Sequence, residues 1–141
     1  MIRIIITVLI TCFLFSLHSC NTKRDYGQYL NRQLKLHCFS YTGTYDTIVI
    51  IPREGCNACI NDANSFFEKN RYNDSYLFIF TKLSTQKELT ILFGEEVLKA
   101  DNVLIDKKNL FYLFDEPDSH YPLILTKEMD NKGYSYNQLN L

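Results

Sequence analysis

The chain has 141 residues, 46% of them hydrophobic, and a formal net charge of -1. That is long enough for one domain with a real core and too short for two. A charge so close to zero excludes the basic footprint of a nucleic-acid-binding surface, so no nucleic-acid partner is expected. Ten Tyr and ten Phe, with no Trp, give the chain a high aromatic share.

Residues 1–19 read as an export signal rather than as part of the fold. Arg3 supplies a positive start, and the apolar run from Ile4 to Leu17 is broken only by Thr7, Thr11 and Ser16. This is shorter than the roughly 20 apolar residues of a spanning helix. The run ends Leu17-His18-Ser19-Cys20, which resembles a bacterial lipobox: Leu three before the cysteine and a small residue just before it. His18 departs from the usual small residue. The resemblance implies cleavage before Cys20 and lipid on Cys20. Residues 20–40 would then be a lipidated tether and N-terminal segment, and residues 41–141 the domain. The protein would sit in the bacterial cell envelope, held to a membrane and facing the periplasm or the exterior. Several acyl chains anchor firmly where one alone is marginal. The alternatives are a plain secretory signal with Cys20 near the cut, or an uncleaved anchor. An exported chain meets an oxidising compartment, where disulfides persist.

Residues 21–28 are polar and suit a tether. Residues 29–36 could form a short helix or a strand. Cys38, among apolar neighbours, reads as a small buried hydrophobe, with a third redox thiol as the alternative. Residues 41–46 suggest a turn. Ile48, Val49, Ile50 and Ile51 then form a β-branched run, the pattern of a strand covered on both faces. Pro52, which has no N–H to donate, is expected to end its ladder. Gly55 permits a tight turn just before Cys56. From Cys59 onward, Ile60, Ala63, Phe66 and Phe67 recur at helical spacing. Cys56 should therefore sit at a helix N-terminus with Cys59 about one turn inside it. Unpaired N–H groups and a partial positive charge in that first turn stabilise a thiolate.

Asn73-Asp74 marks the next turn, and residues 75–81 read as a second buried strand. Strand, helix, strand makes a βαβ unit with parallel strands and a right-handed crossover. Ser84 or Thr85 can cap the following helix, and Glu88 is spaced for a capping box with Thr85. That helix should run to about Phe93 and close at Gly94. Residues 102–106 are a third strand, residues 107–109 a solvated turn, and residues 110–114 a short helix or strand. A loop over 115–120 leads to Tyr121-Pro122 and a strand to Thr126. Residues 129–133 form a hairpin turn, and residues 134–138 the returning strand.

The strand Ile48–Ile51 followed by Gly55-Cys56-Asn57-Ala58-Cys59-Ile60 resembles the thioredoxin-like superfamily. More narrowly, the chain resembles the small thioredoxin-like lipoproteins of Bacteroidetes-type bacteria. The resemblance implies an α/β fold: a central mixed sheet of four to five strands with helices on its faces. It also implies thiol–disulfide oxidoreductase activity at a redox-active CxxC, with Cys56 attacking and Cys59 resolving. Pro122 would occupy the place of the family's cis-proline, lining a substrate groove with Tyr121 and Gly55. Pro117 is the weaker candidate because no strand follows it directly. No cofactor is implied. The partners would be protein thiols or disulfides and a redox partner protein that supplies electrons.

The chain departs from the family in three places. Gly55 stands where Trp is usual. Ile50 falls where the family keeps a buried acid, which leaves Glu54 as the nearby candidate for proton transfer. The last helix is absent, so one sheet face must be covered by the N-terminal segment or a partner.

The main competing expectation is a non-catalytic envelope binding module with a structural disulfide. A third is a metal site using Cys56 and Cys59 with Cys38, His37 or His120. The chain has no second CxxC and no paired histidine, so no metal is expected. A peroxidase lacks its Pro-x-x-x-Thr-x-x-Cys pattern here.

Overall fold

The structure, a computed structural model, describes residues 26–38, 40–41, 43–112, 122–129 and 133–138. Its elements in chain order are helix α1 (Tyr26–His37), strand β1 (Thr47–Pro52), helix α2 (Asn57–Asn70), strand β2 (Tyr76–Thr81), helix α3 (Lys87–Phe93), a 3-10 turn (Glu95–Lys99), and strands β3 (Val103–Asp106), β4 (Leu123–Lys127) and β5 (Tyr134–Gln138). The five strands make one open sheet in the order β3-β2-β1-β4-β5. β1 and β2 are parallel in register Thr47 to Tyr76 through Pro52 to Thr81, and β2 and β3 are parallel. β4 runs antiparallel to β1, and β5 antiparallel to β4. This is a thioredoxin-like topology, and among the described residues no helix follows β5.

β1 is central because its residues are apolar on both sides of the pleat. Ile48 and Ile50 point one way, Val49 and Ile51 the other, and all four are fully buried. On the first face they join Leu77, Ile79, Leu123 and Leu125, covered by Leu30 and Leu34 of α1, Cys38 and Phe111. On the second face they join Phe78, Phe80 and Ile124, covered by Ala63 and Phe67 of α2, Leu89 and Phe93 of α3, and Val97. The Phe67 ring stands edge-on to Phe78, Phe80 and Phe93 at centroid distances of 4.9, 5.1 and 4.8 Å. These are favourable aromatic geometries in addition to burial.

The first face of the sheet is covered by the N-terminal segment. The sequence left residues 29–36 open between helix and strand and placed residues 21–28 in a tether. The chain is already helical at Tyr26, because Leu30 and Leu34 lie four apart and both bury against the sheet. Asn31 ties this helix to the hairpin, donating to the Tyr134 carbonyl at 2.6 Å and accepting from the Tyr134 amide at 2.8 Å.

Pro52 ends the strand and its ladder as expected: β1 runs Thr47–Pro52 and its last pair is Pro52 with Thr81, flanked by a bond from Arg53 N to Thr81 O at 3.0 Å. By strand alternation the missing N–H of Pro52 faces the β4 side, where pairing has already stopped at Ile50 with Leu123.

The Asn73 turn, the second and third strands and the returning strand follow the expected order. The capping box is half formed. Glu88 accepts from the backbone N–H groups of Ser84 and Thr85, but the helix starts after Gln86, which makes no side-chain cap. Gly94 closes α3 at φ 89. Leu110 and Phe111 lie in a turn rather than in a helix or strand. Residues 1–19, Cys20, Pro117, His120 and Tyr121 lie outside the described residues.

Candidate active site

The parallel strands β1, β2 and β3 end on the same edge of the sheet. Open α/β sheets present ligand-binding loops beyond the carboxyl ends of such strands. Three loops meet there: Arg53 to Cys56 after β1, Lys82 after β2, and residues 107–112 after β3. The register also brings Pro122 to this end. Leu123 pairs with Ile50, so Pro122, which is buried, sits one step further toward the loop that carries Cys56.

Gly55 makes the turn into α2 at φ 134, a conformation that L side chains rarely adopt. Cys56 follows in extended conformation as the N-cap residue of α2. Its sulfur accepts from the Cys59 backbone N–H at 3.3 Å, and its carbonyl accepts from Ile60 N at 3.0 Å. Sulfur thus takes the place that a Ser or Asp oxygen takes in an ordinary cap. Cys56 is exposed, Cys59 is half-buried, and both are free thiols near disulfide distance.

The two thiols divide their roles electrostatically. The Cys56 thiol lies below its ordinary value. The leading cause is the hydrogen bond with the Cys59 side chain, followed by the backbone amides of Cys59 and Ala58; Asp62 opposes the shift. The Cys59 thiol lies above its ordinary value, because it is hydrogen-bonded to Cys56 and because it is more buried. One sulfur is therefore exposed and the more readily ionised of the two, and the other is less exposed and holds its proton more tightly.

Glu54 is exposed, and its carboxylate is turned to Lys82 Nζ at 2.9 Å. The Lys82 ammonium also lies 5.0 Å from the centre of the Tyr112 ring. Arg53 reaches under the loop to Asn64 Oδ1 at 2.8 Å, with its Nε 4.0 Å from Glu88 Oε2.

The sequence reading missed the supports from the other two loops. Lys82 and Asn109 both have left-handed backbone, at φ 56 and 55. The Asn109 side chain accepts from Lys82 N at 2.8 Å. The buried Asp106 carboxylate accepts from Thr81 Oγ1 at 2.9 Å and from Phe111 N at 2.8 Å. Asn in a Lys-Lys-Asn turn is a legible sign of left-handed backbone; nothing in the local pattern of Lys82 signals it.

Cys38 is not at this edge. It lies in the core of the first face, and burial, then the charge of Asp106, push its thiol up to about 11. Among the described residues no group of three or more His, Cys, Asp or Glu side chains could hold a metal ion, and no helix is long and apolar enough to cross a membrane. A groove of about 470 Å³ opens at the opposite end of the strands, lined by Tyr45, Arg71, Asp74, Glu96, Asp101 and Val103 among others; it holds no nucleophilic thiol.

Comparison with protein families, with curated proteins and with solved structures finds no match to this chain. The fold and the site stand on their own geometry: a small α/β domain of thioredoxin-like topology, with a CxxC pair at the N-terminus of the helix that follows its central strand.

Proposed function

We propose that this protein is a thiol–disulfide oxidoreductase of the small thioredoxin-like lipoprotein type, held to an envelope membrane by lipid on Cys20. The carrying observation is the asymmetry of the pair, with an exposed Cys56 that caps the helix and a recessed Cys59 hydrogen-bonded to it. The motif Leu17-His18-Ser19-Cys20 supports the lipid anchor.

The chemistry then runs in two exchanges. The Cys56 thiolate attacks one sulfur of a substrate disulfide. The S–S bond breaks, a mixed disulfide forms on Cys56, and the other substrate sulfur leaves as a thiolate and takes a proton. Cys59 then gives up its proton and attacks the Cys56 sulfur. This releases the second substrate thiol and leaves the Cys56–Cys59 disulfide. Two electrons and two protons pass from the protein dithiol to the substrate, and a redox partner protein restores the dithiol. Pro122, with Tyr121 and Gly55, would line the groove that receives substrate backbone.

The reduction potential tests this. The purified protein is equilibrated in graded glutathione buffers, and the alkylated cysteines are counted by mass at each peptide. A potential between about -270 and -120 mV, with far-UV circular dichroism unchanged between the two states, is the expected result. A pair reduced only below roughly -300 mV, or only with unfolding, would instead identify a structural disulfide in a binding module.

A further inference from the structure

The outer face of α1 is basic. Leu30 and Leu34 bury against the sheet, and the helix turns Tyr29, Arg32, Lys35 and Leu36 the other way, where all four are exposed. The helix sequence contains no acid. Leu36 is a large apolar side chain and yet 63% exposed, and Met129, at the adjoining hairpin, is fully exposed. A shallow groove runs between the helix and the hairpin, lined by Arg32, Lys35, Leu36, Glu128 and Gly133 among others. Among the described residues Glu128 is the one acid lining it, and no ion pair joins Glu128 to Arg32 or Lys35. The basic character extends along the sequence, where Lys23 and Arg24 precede the helix against the single acid Asp25. The whole chain has a net charge of -1, so positive charge is concentrated in residues 21–37 and the remainder is acidic.

This surface begins close to the proposed anchor. Cys20 is six residues before Tyr26, a stretch that spans at most about 22 Å. Resting on the lipid anchor proposed above, we propose that the outer face of α1 docks on the surface of an anionic phospholipid bilayer. Arg32 and Lys35 meet lipid phosphates, and Tyr29 and Leu36 enter the headgroup layer. The lipid on Cys20 holds the chain to the membrane, and the helix face fixes its orientation. The sheet then lies flat over the bilayer, with α1 beneath it and α2 and α3 on the far side. The edge that carries Cys56 opens sideways along the membrane, which suits substrate disulfides that are themselves held at the membrane.

The chain has no Trp, so a single one introduced by substitution reports its own surroundings. The mature lipoprotein is placed in vesicles of phosphatidylethanolamine and phosphatidylglycerol with acyl chains brominated near the headgroup, and in matching vesicles of phosphatidylcholine. Leu36→Trp reports on the α1 face, and Ile91→Trp, at an exposed position of α3, on the opposite side of the sheet. Bromine should quench the Leu36→Trp emission in the anionic vesicles and much less in the neutral ones, and should leave Ile91→Trp unquenched in both. One cation near an anionic surface changes the ratio of docked to undocked protein about fivefold, so Arg32→Gln combined with Lys35→Gln should lower it about 25-fold and release the quenching. Equal Leu36→Trp quenching in the two lipids, none in either, or stronger quenching of Ile91→Trp overturns the inference, while the anchor stands on the acyl mass of the N-terminal peptide. A Leu36→Trp emission that shifts with protein concentration in detergent, without vesicles, shows a second copy on this face and also overturns it. An N-terminal peptide without acyl mass overturns the anchor and the inference together. Leu36 and Ile91 are both exposed, so neither replacement disturbs the core, and Met129→Trp repeats the reading at the hairpin.

Discussion

The sulfur of Cys56 does two things at once: it caps α2 and it is the exposed, more readily ionised thiol of the pair. Substitution can separate these roles. In the reduced state, Cys56→Ala should lose stability with the cap, while Cys56→Ser should match or exceed the wild type, because oxygen is the better acceptor. Both should abolish exchange. Urea unfolding of the two variants, set beside an exchange assay, checks this. Equal stability for Ala and Ser would mean that the sulfur contributes nothing as a cap. Gly55 has its own constraint, since φ 134 is closed to side chains and fixes how the loop enters the helix.

The turn after β3 is locked to the end of β2 by the Asp106 carboxylate and the Asn109 side chain. Asp106 is 7% exposed and satisfies both the Thr81 hydroxyl and the Phe111 amide. Asp106→Ala leaves the buried Phe111 amide without an acceptor and the Thr81 hydroxyl with only the long 3.5 Å contact to Asn109 Oδ1, and the expected loss is about 1 to 3 kcal/mol by urea unfolding. The same change should release Asn109 and Lys82. The strands and helices around this turn were largely legible in the chain, because hydrophobic period is a local property. Ile48 to Ile51 reads as a two-faced strand, and Ala63 with Phe67 as one helical face; both bury as read. The Tyr26 start of α1 was not legible, because its helical stripe is short and only burial against the sheet decides between helix and strand.

The sheet separates the molecule into two apolar layers and two ends, with the cysteine pair at one end and the groove near Arg71 at the other. Cys38 lies within the first layer and gives the fold a pH dependence of its own. Its thiol is pushed from an ordinary 9.0 to about 11, by burial and then by Asp106. Below pH 9 the thiol is protonated in folded and unfolded chains alike, and its contribution is fully present. Between pH 9 and 11 the unfolded chain loses the proton while the folded chain keeps it, so stability falls as pH rises. The full loss from this group is about 2 to 3 kcal/mol. Cys38→Ala should be somewhat less stable at pH 7 and should show a flatter decline from pH 9 to 11. An unchanged slope would show that Cys38 is not the titrating group.

The sequence by itself determined the central strand, the CxxC at the start of the next helix, the parallel βαβ unit and the closing hairpin. Each is written in residues close together in the chain: a β-branched run, a glycine before a cysteine, a helical repeat, a turn between two strands. Tertiary structure alone decided what covers the first face of the sheet and what surrounds the cysteines. Leu30 and Leu34 complete a core whose other members lie far along the chain. Lys82 meets Glu54 across 28 positions, and Asp106 holds Thr81 across 25. Such contacts depend on strand order and register, which bring the ends of β1, β2 and β3 to one edge. No local pattern encodes that juxtaposition, and the charge environment of Cys56 follows from it.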